Sequence, residues 1–350
     1  MTTVTDTPDE TAAAPSATNN ALRPQSLDGY IGQDHMKKVL RRFIESTFIT
    51  SKAMPHLLLA GPSGMGKTTL AICLSKELGV DVYATKAPVN IERLLSLQGE
   101  MKDGDILLVD EVHEQAKGRS KADTSPEILY TVMEDQKLLT AQGYMDFPDI
   151  TIMGCTTNTG DLPEAFTSRF VLKPSFEDYS DEELATIACT TCERVDLAIN
   201  DEAAMIFARA SRGVPRIIAN FVAQAQPMMT VLGRDEVDAD VADLILDNER
   251  VERDGLGADH LKYLTVLADN LRYVNSRQEY VAKASLRELA HGLGRPTDSA
   301  YVEHVIEPIL LKRGLVTVGH GRELTDDGFD RLGRKRVNMS ANGGSVTKLT

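Results

Sequence analysis

No run of about 18 apolar residues occurs anywhere in the sequence, which argues against a membrane-spanning helix. The amino terminus also lacks a basic segment followed by an apolar one, so no secretory signal is expected. Cysteine is scarce, at four in 350 residues. That excludes a disulfide scaffold and points to a reducing compartment, the cytoplasm. Cys189 and Cys192 have the spacing of a redox or zinc pair. No second pair or nearby histidine completes a site, and they read as buried thiols of a helix. Excess positive charge is missing as well: the formal net charge is −14, which argues against indiscriminate nucleic-acid binding. The deficit is uneven. Residues 255–336 contain 13 Lys and Arg against 11 Asp and Glu, a balance of +2, whereas residues 21–254 carry −14. The carboxyl-terminal third is therefore the better candidate for contact with phosphates.

What is present begins with Ala60-Gly61-Pro62-Ser63-Gly64-Met65-Gly66-Lys67-Thr68-Thr69. This is a complete phosphate-binding loop, preceded by the apolar run Leu57-Leu58-Leu59 and followed by a helical pattern from Leu70. Strand, loop and helix in that order are the context the motif requires. Gly61, Gly64 and Gly66 allow backbone N–H groups to turn inward around a phosphate. Lys67 supplies a point charge, and Thr68 offers a hydroxyl to Mg²⁺. The helix that follows directs its positive dipole end at the same anion. Downstream, Ile106-Leu107-Leu108-Val109 reads as a buried parallel strand that ends in Asp110-Glu111. Acids at the carboxyl end of such a strand lie where open α/β sheets bind ligands. Asp110 would hold the metal through water and Glu111 would polarise the attacking water.

Length and pattern give an α/β P-loop core with a parallel sheet, an all-α lid and a winged helix. The expected divisions are tails at 1–20 and 337–350, a large ATPase domain over 21–178, a lid over 179–254 and a winged helix over 255–336. Strands are expected at His56–Ala60, Asp81–Thr85, Asp105–Val109, Ile150–Cys155 and Val171–Pro174. From Asp181 to about Asp247 the pattern is wholly helical, with Ser180 and Glu183 at capping-box spacing. Further on, Leu261, Leu264, Leu267 and Leu271 mark one helix, Leu286–Leu293 a second, and a third starts at Pro296 and Thr297. A β-hairpin follows, with Leu315–Val318 and Arg322–Thr325 as its strands. Three helices and a hairpin make a winged helix, a module that sets its third helix and wing against nucleic acid or against protein.

Three further stretches identify a resemblance: Leu22-Arg23-Pro24 with Leu27-Asp28-Gly29-Tyr30-Ile31-Gly32-Gln33, then Asp110-Glu111-Val112-His113 with Met133-Glu134-Asp135, then Gly213-Val214-Pro215-Arg216-Ile217. The chain resembles the RuvB family, AAA+ motors that drive branch migration of Holliday junctions, over about residues 21–333. The resemblance implies ATP and Mg²⁺ as cofactors, DNA as substrate, a hexameric ring and a role in recombination and repair. It implies that Leu22, Arg23, Tyr30, Ile31 and Tyr179 surround the adenine. Gly61, Gly64, Met65, Gly66, Lys67, Thr68 and Thr69 would hold the phosphates, and Glu134 and Asp135 would also touch the nucleotide. Thr156 matches the sensor that orients water, and Arg216 the lid arginine that reaches the γ-phosphate. Arg169 matches the finger entering a neighbouring subunit's site, and Arg322 a DNA contact in the wing.

Departures accompany the resemblance. Thr167 and Asn158 replace arginines near the nucleotide, and Val318 replaces a basic wing position. The segment Gln136–Asp149, where the family docks RuvA, is short, which puts a standard RuvA contact in question. Conversely, Lys117–Lys121 is a basic insertion that would face either a pore or solvent. Two other readings compete: an AAA+ clamp loader or helicase loader acting on a protein partner, and a non-catalytic DNA adaptor that binds nucleotide only to assemble.

Overall fold

The computed structural model describes residues 21–117, 124–274 and 279–334. Both expected tails and residues 118–121 of the basic insertion lie outside that set. The described chain forms two compact units divided between Ala242 and Asp243, within the helix Ala239–Glu249.

The first unit is built on a four-stranded parallel sheet in the order β1-β6-β3-β2, with β1 Leu57–Ala60, β2 Val82–Lys86, β3 Ile106–Asp110 and β6 Thr151–Thr156. Each expected strand appears within one residue of its place except Val171–Pro174. There Leu172 and Ser175 make only isolated parallel bridges to Leu57 and Ala60. The central strands β3 and β6 are buried nearly throughout because both faces are covered. On one face, Leu70 and Leu74 of the helix Lys67–Leu78 join Leu40, Leu57, Leu59 and Ile106. On the other, Leu94, Leu97, Leu129 and Phe166 cover Leu107 and Val109. Burying one such side chain contributes about 1.5–3 kcal/mol, which fixes the register that brings Ala60 beside Thr156 and Lys86 beside Asp110. The loops leaving β1, β3 and β6 thus share one end of the sheet.

The short segment after Asp135 does form a hairpin, β4 Lys137–Thr140 against β5 Gly143–Asp146. Helices Asp181–Glu193, Asp201–Ala210 and Pro215–Leu232 follow, and the expected capping box is present. The Ser180 hydroxyl accepts the Glu183 amide at 3.1 Å, and the Glu183 carboxylate accepts the Ser180 amide at 2.8 Å. A two-residue parallel pair, β7 Ala198–Ile199 with β8 Glu236–Val237, interrupts the otherwise helical region.

The second unit is a winged helix with one more hairpin than expected. Its first helix, Ala258–Asp269, stops before Leu271, and its second spans Leu286–Gly292. β9 Leu271–Val274 pairs with β10 Glu279–Ala284, which pairs with β12 Arg322–Leu324, and β11 Val316–Val318 closes the wing. Leu271 continues the helical leucine spacing, but Asn270 (φ −91°, ψ 63°) has left the helix and redirects the chain. The third helix begins at Ser299 and passes through a π turn at Val302–Ile306 before Glu307–Lys312. Pro308 has no N–H with which to continue regular i→i−4 bonding, and the π turn absorbs the mismatch.

Candidate nucleotide site

The loop after β1 wraps the start of the helix Lys67–Leu78. Gly64 (φ 86°) and Gly66 (φ 97°) adopt left-handed conformations. A Cβ on Gly64 would lie 2.6 Å from a Val214 methyl, and one on Gly66 would lie 2.5 Å from the Tyr30 hydroxyl. Neither position has room for a side chain, so these two glycines are demanded by packing as well as by conformation. The Lys67 ammonium donates to the carbonyls of Gly61 at 2.7 Å and Pro62 at 2.8 Å. Burial pushes it below its ordinary range, while Asp110 and Glu111 act in the opposite sense. A partly desolvated cation whose hydrogen bonds, among the described residues, go only to loop carbonyls is poised for an anion.

A cleft of about 280 Å³ opens beside this loop. Leu22, Arg23, Tyr30, Ile31, Lys67, Thr68, Thr69 and Tyr179 line it, together with Asp110, Glu111 and Arg216. The Tyr30 and Tyr179 hydroxyls are 3.4 Å apart, and both donate to the Met65 carbonyl. Arg194 donates to the Leu22 and Gly29 carbonyls and so pins the amino-terminal segment to the lid. Arg216 clamps the loop from the lid side. Its amide donates to the Gly64 carbonyl at 3.3 Å and its guanidinium to the Ser63 hydroxyl at 3.1 Å. Arg23 Nη1 is buried without a hydrogen-bond partner among the described residues. Burial, and then the charge of Arg216, lowers the pKa of that guanidinium. Lys67, Arg216 and Arg23, the last with a stranded buried donor, fit a polyphosphate anion. Thr68 and Asp110 supply the oxygen donors that Mg²⁺ prefers.

Glu111 follows β3 with a left-handed backbone (φ 49°), which costs a non-glycine residue about 1–3 kcal/mol and marks a constrained position. Its Oε2 accepts the Thr157 hydroxyl at 3.2 Å and lies 3.2 Å from His113 Nδ1. Thr156, the expected sensor, is fully buried. Its hydroxyl contacts His113 Nδ1 at 3.1 Å and the Asn158 backbone at 3.0 Å, so it reaches Glu111 only through the imidazole. The direct contact belongs to Thr157. Sequence reasoning missed Thr157 and His113, although the doubled threonine and the histidine three positions after Asp110 were both visible.

Arg169, Glu134 and Asp135 do not line the cleft. Arg169 lies over the Tyr130 ring, 3.9 Å from its centroid, and its Nε is 3.0 Å from Glu134 Oε1. That nitrogen is buried and poorly aligned for a hydrogen bond, so the contact is an ion pair. Asp135 is exposed at the end of the helix Glu127–Asp135. In the second unit Arg322 is held by Glu307 (Nε to Oε1 2.8 Å) and approaches Glu303 at 3.5 Å. Its side chain is only 14% exposed. Cys155 and Cys192 are buried, and burial pushes each thiol up to about 12.

Known proteins match along the whole described chain. The family described as the Holliday junction DNA helicase RuvB P-loop domain matches residues 22–176, the RuvB AAA lid domain matches 179–252, and the RuvB C-terminal winged helix domain matches 253–333. The Holliday junction branch migration complex subunit RuvB of Kosmotoga olearia is 32% identical over 329 residues, covering 91% of each chain. The protein of that name from Oenococcus oeni is 33% identical and covers 89% of this chain and 90% of its own. A solved structure of the Thermotoga maritima RuvB Holliday junction branch migration motor aligns with a TM-score of 0.70 at 29% identity, covering 90% of this chain and 99% of that one. Set beside the loop, acid pair and lid arginine gathered on one cleft, these matches establish that the chain belongs to the RuvB family.

Proposed function

We propose that this chain is an ATP-driven DNA motor that promotes branch migration of Holliday junctions in recombination and repair. One observation carries the mechanism: Lys67, Asp110, Glu111 and Arg216 converge on one cleft, while Arg169 of the same chain is turned to Tyr130 and Glu134. The cleft therefore lacks its finger until a neighbour supplies one. This supports a ring, a hexamer in our reading, with Glu134 and Asp135 beside the finger at the shared boundary.

ATP binds with its base among Leu22, Arg23, Tyr30, Ile31 and Tyr179 and its phosphates on the Gly61–Thr69 loop. Thr68 and Asp110 would hold Mg²⁺, which would neutralise charge on the phosphates. Glu111 takes a proton from the attacking water, and Lys67, Arg216 and the neighbour's finger stabilise the charge that spreads over the γ-phosphate. Loss of that phosphate removes the anion to which Arg216 and the finger are drawn. The lid then turns against the core and moves the DNA.

The functional division is 21–178 for the ATPase core, 179–254 for the lid and 255–336 for the DNA-contacting winged helix. Arg322 is the wing's DNA contact. Its Nη1 has no hydrogen-bond partner among the described residues and is offered to a phosphate, while Nε and Nη2 stay on carboxylates. The hairpin of β4 and β5 exposes Leu139, Tyr144 and Met145, an apolar surface suited to an adaptor of the RuvA kind. The four cysteines are free thiols, in keeping with the cytoplasm. Among the described residues no helix is long and apolar enough to cross a membrane.

The test is ATP turnover by the purified chain with and without four-way junction DNA. The motor reading predicts stimulation by DNA alone. Turnover that rises only with a protein partner would favour a loader instead.

A further inference from the structure

The Glu111 carboxylate is held from one side. Both of its contacts, the Thr157 hydroxyl and His113 Nδ1, fall on Oε2, each at 3.2 Å. Among the described residues nothing engages Oε1. The proton on the imidazole can be located from its partners. The Thr156 hydroxyl donates to the Asn158 carbonyl at 3.0 Å and already accepts the Asn158 amide at 3.0 Å. What it offers His113 is therefore a lone pair, at 3.1 Å. A carboxylate oxygen likewise only accepts. His113 Nδ1 must then carry hydrogen, shared between Thr156 Oγ1 and Glu111 Oε2. The far ring nitrogen, Nε2, lies 3.2 Å from Glu114 Oε1.

The tether is anchored in rigid structure. His113 is 9% exposed and opens the short helix His113–Lys117. The Val112 amide donates to the Cys155 carbonyl at 2.8 Å, tying the loop after β3 to β6. β6 in turn pairs with β1, and its Thr156 carbonyl accepts the Gly61 amide at 3.1 Å. The imidazole thus references the carboxylate to the phosphate-binding loop itself.

We infer that His113 is a positioning residue for the general base: with Thr157 it pins Oε2, fixes the rotation of the carboxylate and reserves Oε1 for the proton of the attacking water. This rests on Glu111 being the base. His113 does not line the cleft, and it acts only through Glu111. A general base loses much of its effect when displaced by even one ångström. The left-handed backbone at Glu111 is the complementary constraint, holding the main chain as His113 holds the side chain.

The experiment compares His113→Asn, His113→Gln and His113→Leu with Glu111→Gln in steady-state ATP hydrolysis, with nucleotide affinity and melting temperature measured in parallel. Asn can place an N–H near the Nδ1 position, Gln places one near Nε2 only, and Leu neither. His113→Gln and His113→Leu should lower kcat by about 10–100-fold with KM within about twofold. His113→Asn should retain most of kcat. In a Glu111→Gln background His113→Leu should cost nothing more, because the tethered group is already gone. A His113→Gln enzyme at wild-type kcat, beside an inactive Glu111→Gln, would overturn the inference and leave the base assignment standing. So would a further fall on combining the two changes, or losses explained by weaker nucleotide binding and a lower melting temperature. Full activity in Glu111→Gln would overturn the base assignment and the inference together.

Discussion

The cations at the cleft of the first unit and the arginines of the second are held in opposite ways. In the first, among the described residues, Lys67 donates only to loop carbonyls, Arg23 buries a donor with no partner, and Arg216 lines the same cleft. In the second, Arg322 is locked to Glu307 and Glu303, Arg331 to Asp254 and Glu252, Arg272 to Glu288 and Arg334 to Asp269. The first arrangement is costly until an anion arrives and the second is satisfied already. Charge held in reserve marks the reaction site, whereas charge already paired serves the fold first and nucleic acid second.

The sharpest way to break this contrast is to remove Arg169, the proposed finger, which the first unit does pair. Arg169→Ala should lower ATP turnover by about 10³–10⁵-fold if the side chain leaves Tyr130 and Glu134 for a neighbour's site. Mixing Arg169→Ala with Lys67→Ala chains should restore part of the rate, because each defect then lies in a different subunit. A mixture as inactive as its components would mean that the finger does not act in trans.

The next effect is on stability. Glu307 is 2% exposed, accepts the Tyr263 hydroxyl at 3.0 Å and neutralises Arg322. Glu307→Ala leaves a guanidinium largely buried beside a weaker partner, and the winged helix should lose about 3–5 kcal/mol by denaturant titration. The nucleotide unit should bind ATP as before. The double role of Arg322 sharpens the contrast further. A single phosphate contact would flatten the log–log salt dependence of DNA affinity by about one on Arg322→Ala. An unchanged slope would make Arg322 purely structural.

The smallest effect is one of pH. Burial alone would raise the Asp254 carboxyl, but hydrogen bonds from Arg331 and from the Leu256 amide outweigh it, and its value falls below the ordinary 3.8. A carboxyl lowered by folding stabilises the native state above its unfolded value, and that contribution fades as pH falls through the folded one. The winged helix of Arg331→Ala should therefore lose less stability than wild type between pH 5 and about pH 2, measured by thermal melting.

Legibility followed the same divide. β1 and β3 announced themselves as short apolar runs because their burial on two faces favours apolar residues. The loop at Gly61–Thr69 could be read in full because its chemistry is carried by consecutive positions. The winged helix was harder. Leu271 continued a helical spacing and so concealed β9, where only the backbone at Asn270 reveals the break. The π turn at Val302–Ile306 left no periodic signal beyond Pro308. Within the site, side-chain direction was the obscure part. Two adjacent threonines differ in which way they point, and Thr157 rather than Thr156 meets Glu111. Arg169 was visible as a residue, but its stacking on Tyr130 depends on a helix some forty residues earlier.

The most direct test of the motor is dissociation of a synthetic four-way junction by the purified chain with Mg-ATP, wild type against Glu111→Gln. Wild type should resolve the junction into duplex arms only while ATP is being hydrolysed, and Glu111→Gln should bind nucleotide and DNA yet release nothing. Equal dissociation by the two, or dissociation sustained by a nucleotide that cannot be cleaved, would contradict the coupling of hydrolysis at Glu111 to movement of DNA.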